Sequence, residues 1–116
     1  MPAVEEIENI ISNASQFGEL GAEQARVLQQ FLDERQQGAL ALYNSGLVVT
    51  SQMYEREKIA RFWQNQHEFF EAQLAVVNRF EARLKNAGSG KLDLRPIVST
   101  LKKLIDVCSE HYEFHA

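Results

Sequence analysis

The stretch from residue 47 to residue 87 contains neither Gly nor Pro and places apolar side chains at helical spacing through most of its length. Read as one helix, it would be about 60 Å long at 1.5 Å per residue. The rest of a chain of 116 residues cannot bury such a rod on all sides. We therefore predict an all-α, antiparallel helical bundle with one long central helix at about 47–87, in a single domain covering residues 1–116.

Three shorter amphipathic segments flank this predicted helix. The first has apolar positions at Val4, Ile7, Ile10 and Ile11. The second runs from about residue 22 to residue 37 or beyond, with apolar positions at Ala25, Leu28, Phe31 and Leu32. Gly88, Ser89 and Gly90 end the long helix. The last helix carries a continuous stripe of Leu94, Ile97, Val98, Leu101, Leu104, Ile105, Cys108 and Tyr112.

The uncharged segment at residues 38–50 has two interpretations. The first is a helical turn at residues 44–46, with Gly46 as the break. The second is a short β-hairpin at residues 39–50, since two apolar runs flank a Gly-containing loop and Val48, Val49 and Thr50 are β-branched. We favour the helical turn because an isolated hairpin is only marginally stable.

Heptad spacing along the predicted long helix indicates contact with other helices. If the flanking helices fold back along opposite halves of it, most cross-sections contain two helices, which rarely bury a core. We therefore expect a homodimer or another protein partner. The alternative is a kink in the long helix that closes a compact, monomeric four-helix bundle. In a dimer, Gln66 and Gln73 would set the register, although a solvent-facing edge explains them equally well. The predicted interface residues are Phe62, Trp63, Gln66, Phe69, Phe70, Gln73, Val77 and Phe80.

The charge distribution favours some ligand classes over others. A net charge of -4 and a pI near 5.4 disfavour a general nucleic-acid binder, which needs a clustered excess of Lys and Arg. Basic residues nevertheless gather before and after the glycine-rich turn, where the start of the last helix also attracts anions. An ordinary solvated surface is the competing interpretation. The residues predicted to bind an anion or an acidic partner are Arg79, Arg83, Lys85, Lys91 and Arg95.

Two pairs of potential metal ligands have i,i+4 spacing, which places both members on one helical face. These residues are His67, Glu71, His111 and His115. The chain has only three His, and no Glu is followed by a His three residues later, as the usual di-iron bundles require. We favour structural or surface histidines over a metal site, and we predict no cofactor.

No catalytic constellation emerges from the sequence. Cys108 and His111 lie one turn apart, but Cys108 occupies a core-stripe position, where a free Cys behaves as a small hydrophobe. We therefore predict a non-enzymatic module for protein–protein interaction that acts as a homo-oligomer. The alternative is a ligand- or metal-binding bundle that uses the aromatic cluster or the His pairs. The single Cys and the lack of a roughly 20-residue apolar run predict a cytoplasmic protein without stable membrane insertion.

Overall fold

Four α-helices joined by short connections form the fold. A computed structural model describes residues 4–87 and 89–116. The helices are α1 (Val4–Phe17), α2 (Ala22–Ser51), α3 (Arg56–Leu84) and α4 (Arg95–His115), and a 3₁₀ turn at Ser89–Lys91 precedes α4. The described residues contain no strand, which confirms the predicted all-α class. The predicted helix end at Gly88 lies outside the described residues.

The prediction of one helix at 47–87 is wrong, because the chain turns between α2 and α3. Two hydroxyl groups bond to carbonyl oxygens at the end of α2: Thr50 Oγ1 donates to the Gly46 oxygen at 2.7 Å, and Ser51 Oγ donates to the Val48 oxygen at 2.6 Å. The Met53 amide then donates to the Thr50 carbonyl at 3.1 Å, a tight i→i+3 bond. The helix thus ends without Gly or Pro, in a turn with short-range hydrogen bonds of this kind.

Residues 39–50 lie within α2, so the predicted helical turn and the predicted β-hairpin are both wrong. Gly46 has a different role from a turn residue. A Cβ atom there would lie 2.9 Å from Cε1 of Phe62 and 3.4 Å from Cη2 of Trp63. Because Gly lacks that atom, α3 can approach α2 closely at this point. The β-branched Val48 and Val49 are helical although both side chains are exposed, so their local preference for a strand is too weak to interrupt α2.

Side-chain pairs define how the helices are arranged. Gln36 donates to Thr100 at 3.0 Å, and Tyr43 bonds to His111 at 2.9 Å, so α2 and α4 run in the same direction. The short connections make α3 antiparallel to both. Helix α4 packs closely along α3 and also along α2, whereas direct contact between α2 and α3 is sparse.

Helices α1 and α4 contact opposite faces of α3. Leu74 of α3 lines a hollow together with α4 residues. Arg83 of α3 donates instead to Glu8 of α1 at 2.8 Å. Arg83 lies nine residues after Leu74, which is two and a half turns of a helix with 3.6 residues per turn, so the two residues lie on opposite sides of α3. The pair of α2 and α3 therefore has α4 on one side and the shorter α1 on the other.

The core consists of two clusters, one toward each end of the bundle. The larger joins α2, α3 and α4 through Leu32, Ala39, Ile59, Trp63, Phe70, Val77, Ile97, Leu101, Leu104 and Cys108. The smaller joins α1, α2 and the end of α3 through Ile7, Ile11, Ala14, Leu20, Ala25, Leu28, Phe31, Leu84 and Ala87. Each cluster thus draws on three helices. The expectation of two-helix cross-sections is wrong, because α2 is much longer than predicted; homodimerisation itself stays a prediction.

The two helical glycines of α2 give a matched test of this packing. Gly46→Ala should lower the free energy of unfolding by about 1–2 kcal/mol, since overpacking outweighs the better helix propensity. Gly38→Ala should raise it by about 0.5–1 kcal/mol, because nothing lies within 4 Å of the added methyl group. Urea unfolding of both variants measures the difference. Equal stabilisation by the two substitutions would contradict the close approach at Gly46.

Candidate protein-binding groove

An open groove runs between α2 and α3 on the side away from α4. Helix α2 forms one wall with Phe31, Leu42 and neighbouring residues, and α3 forms the other. Ile97 and Leu101 of α4 lie at the floor, because the sparse contact between α2 and α3 leaves the α4 side chains visible between them. Val4 of α1 lines one end. The groove is thus the part of the α2–α3 surface that α1 leaves uncovered among the described residues.

The groove consists of two adjoining hollows of about 280 and 390 Å³. They share Phe31, Arg35, Gln73 and Ile97, so they lie next to each other along the α2–α3 surface. Its α3 wall extends from Phe69 to Phe80, which corresponds to about 16 Å at 1.5 Å per residue. The lining is mostly aliphatic and aromatic, with charged and amide groups at the rim. An elongated apolar ligand of about three helical turns matches this shape.

The rim carries both signs of charge. Arg83 is engaged by α1, through Glu8 at 2.8 Å and Ser12 at 3.1 Å. Arg35 lies over the Phe31 ring, with its Cζ atom 4.9 Å from the ring centroid. Arg79 is exposed on the α3 wall. Within the described part of the chain, neither Arg35 nor Arg79 forms an ion pair.

Glu34 adds a carboxylate to the α2 side of the groove. Its Oε1 accepts a hydrogen bond from Gln30 at 3.3 Å. Its Oε2 is buried and has no hydrogen-bond partner among the described residues. The carboxylate therefore retains its negative charge on the α2 wall, with one of its two oxygens turned into the protein surface.

The predicted interface residues fall into three groups in the fold. Trp63, Phe70 and Val77 belong to the larger core cluster. Phe62 and Gln66 are half-buried, and Gln66 Oε1 has no hydrogen-bond partner among the described residues. The third group lines the groove and consists of Phe69, Gln73 and Phe80. Val77 also lines the groove, at its inner edge. Phe69 keeps 46% of its surface exposed, the most of any aromatic residue in the predicted set.

The predicted anion-binding residues do not form one site. Arg79 and Arg83 lie at the groove, whereas Lys85 is exposed beyond the end of α3. Lys91 donates to the Leu20 carbonyl at 2.6 Å. Arg95 bonds to the Asp93 carboxylate at 3.0 Å, and this contact lowers the pKa of Asp93. Lys91 and Arg95 therefore have hydrogen-bond partners in the connections between helices. Of the five predicted residues, only Arg79 and Arg83 line the groove.

The predicted metal ligands are likewise separated into local contacts. His67 Nδ1 lies 3.0 Å from Glu71 Oε1 on the surface of α3. His111 bonds to Tyr43 instead, and the His115 carbonyl accepts from Arg56 at 3.2 Å. Over residues 4–87 and 89–116, no group of three or more His, Cys, Asp and Glu side chains is placed to hold a metal ion.

A polar cluster that sequence reasoning missed joins three helices near the α2–α3 turn. The His111 ring stacks on Trp63, with centroids 4.2 Å apart and planes at 14°, and its Nε2 atom lies 2.9 Å from the Tyr43 hydroxyl. Burial lowers the pKa of His111, His115 lowers it further, and Glu110 raises it. Burial also raises the pKa of the Cys108 thiol to about 11, so this thiol is neutral near pH 7 and poorly nucleophilic.

Exposed apolar side chains also occur far from the groove. Val48 at the end of α2, Tyr54 in the following turn and Phe114 near the end of α4 are all largely exposed. Exposure alone therefore does not distinguish a binding surface in this protein. The groove differs from these positions because several helices contribute to it and give it depth.

Comparison of this chain with known protein families, with characterised proteins and with solved structures gives no match. Among the described residues, no helix has both the length and the hydropathy needed to cross a bilayer.

The lowered pKa of His111 has a consequence for stability. An unfolded His has a pKa near 6.5, so the unfolded chain takes up this proton before the folded protein does. The free energy of unfolding should therefore fall as the pH drops below about 6.5, and His111→Gln should remove this part of the dependence. Urea unfolding at pH 7.5 and pH 5.5, followed by the fluorescence of Trp63, measures it. His67→Gln, on the surface of α3 beside Glu71, is the matched control, and identical pH dependence in His111→Gln and the wild type would contradict the assignment.

Proposed function

We propose that this chain is a non-enzymatic helical interaction module that binds a helical segment of another protein in the α2–α3 groove. The observation that carries the proposal is the unequal cover of the α2–α3 pair. Helix α4 packs along one side of the pair, and on the other side α1 covers only the end nearest Leu84. A partner helix would continue the line of α1 and complete the cover of the remaining apolar surface.

The dimensions of the groove support a helical occupant. An α-helix with side chains is about 10–12 Å wide, and about 11 residues span 16 Å. Helices that bind in grooves present apolar anchors at i, i+3 or i+4, and i+7, which lie along one stripe. The groove offers apolar contacts over the same length, from Leu42 and Phe69 at one end to Val76 and Phe80 at the other.

Phe69 is the expected anchor on this side of the interface. Its ring lies beside the buried Phe70, with centroids 5.7 Å apart, yet almost half of Phe69 remains exposed. Aromatic side chains that become fully buried on binding often contribute a large share of the affinity. Truncation of Phe69 should leave the core intact, because the core contact is made by Phe70.

A small apolar ligand is the second candidate occupant. Hollows of about 280 and 390 Å³ are comparable to pockets for small molecules. This observation favours the ligand-binding alternative over its metal-binding form. In the part of the chain that the structure describes, the potential metal ligands do not converge.

A defined peptide tests the proposal. The probe is a hydrocarbon-stapled helix of about 15 residues with a Leu stripe and Gln on the remaining faces, because unstapled helices of this length are marginal in water. Fluorescence anisotropy should detect binding to the wild-type chain, and Phe69→Ala should weaken it about tenfold, the loss of roughly 1.4 kcal/mol. Tyr54→Ala, at an exposed aromatic residue outside the groove, should leave the affinity unchanged.

Native mass spectrometry of the same variants separates the possible occupants. A dimer that Phe69→Glu dissociates would identify a second copy as the helix donor and support the predicted homodimer. Binding of dodecanoate in place of every peptide would favour the small-ligand alternative. Loss of peptide binding with Tyr54→Ala but not with Phe69→Ala would overturn the groove as the interaction surface.

A further inference from the structure

We infer that the helix bound in the groove is acidic on both flanks of its apolar stripe. This inference rests on the proposed function and names the chemistry of the partner. It follows from the arrangement of the charged groups around the groove, which differs from the charge of the whole chain. The protein has a net charge of -4, yet the groove presents two arginines without ion-pair partners in the described residues.

The charged residues that line the groove are of both signs. The lining contains three arginines and two glutamates: Arg35, Arg79, Arg83, Glu8 and Glu34. Glu8 and Arg83 neutralise each other at 2.8 Å. Glu34 has one oxygen buried in the protein and the other bonded to Gln30. Arg35 and Arg79 remain as the exposed charges able to pair with a ligand.

The two arginines lie on opposite walls. Arg35 belongs to α2 and Arg79 belongs to α3, so a helix between them has one arginine on each flank. Arg35 and Gln73 both line the two hollows, which places them at a similar level of the groove. From Gln73 to Arg79 the rise along α3 is about 9 Å. The carboxylates of the partner should therefore lie on opposite flanks, about six residues apart.

The Arg35 guanidinium is also positioned before a ligand binds. Its contact with the Phe31 ring, at 4.9 Å, holds the charge at the wall of the groove. An arginine restrained in this way loses less side-chain freedom when it pairs with a carboxylate, and its planar fork suits two parallel hydrogen bonds. Pairs at the rim of an interface mainly set the orientation and the association rate, while the apolar floor provides most of the affinity.

Three peptides with the same stapled Leu stripe test this inference. They differ only at the two flanking positions six residues apart, which carry Glu, Gln or Lys. We expect the Glu peptide to bind the wild-type chain at least tenfold more tightly than the Lys peptide at 50 mM NaCl. At 500 mM NaCl the ratio should shrink to about threefold or less, because salt screens exposed charges.

Charge reversal within the groove provides the decisive comparison. The double variant Arg35→Glu with Arg79→Glu should prefer the Lys peptide. The control is Arg61→Glu with Lys103→Glu, which changes the net charge equally at exposed positions outside the groove lining. The control should keep the preference for the Glu peptide. A long-range effect of net charge would instead favour the Lys peptide in every variant, because the whole chain is negative.

The possible failures of the two proposals are distinguishable. If none of the three peptides binds, the groove is not a helix site and the proposed function fails with the inference. If the Gln peptide binds and Phe69→Ala weakens it, but the Lys peptide binds as tightly as the Glu peptide, only the acidic partner is overturned. Equal responses of the groove variant and the control variant would also overturn it. Urea unfolding of each variant establishes that all of them are folded.

Discussion

The contact of Gly46 with the α3 aromatics is the constraint on which the arrangement of the long helices depends. With no Cβ at Gly46, Phe62 and Trp63 reach the backbone of α2. Trp63 then stacks on His111, which bonds to Tyr43, so α2, α3 and α4 are joined within one layer. Elsewhere α2 and α3 touch little, and α4 packs along both of them. The gap between the two long helices is the origin of the groove.

Helix α1 shows why the groove is open at one end of the bundle and closed at the other. Its 14 residues span about 21 Å, less than half the length of α2. Ile7 and Ile11 are almost fully buried against α2 and α3, so α1 covers the surface near Leu84 efficiently. The uncovered surface begins where Val4 and Glu8 end this contact. The groove is therefore deep and apolar because α1 is too short to cover the whole length of the α2–α3 pair.

The sequence predicted the helical class well, because amphipathic periodicity reports which side chains are buried on a helix. It did not predict the connection at residues 52–55. The favoured interpretation makes Gly46 a break and the alternative places Val48 to Thr50 in a hairpin, whereas Gly46 allows close packing between helices and Val48 to Thr50 continue α2. Glycine and β-branched residues have only weak local preferences, and the contact that explains Gly46 involves Phe62 and Trp63 on another helix.

The residues of the candidate site could also be predicted only in part from the sequence. The heptad pattern identified Phe69, Gln73 and Phe80 together with Trp63, Phe70 and Val77, but it could not divide the six into the two faces they occupy. Phe69 and Phe70 are neighbours about 100° apart on α3, and the positions of α2 and α4 decide which of them is buried. No sequence pattern indicated Arg35 or Tyr43, because their roles depend on contacts with helices that are far away in the sequence.

The absence of charge in the second half of α2 also determines how proteases can act on the chain. Between Arg35 and Arg56 there is neither Lys nor Arg. Trypsin, which cleaves after these residues, therefore has no target within the end of α2 or the turn that follows, however often this region opens. Chymotrypsin cleaves after aromatic residues and finds Tyr54 97% exposed in that turn. A tryptic digest would accordingly leave the end of α2, the turn and the contact residue Gly46 on one fragment, even from a fully unfolded chain.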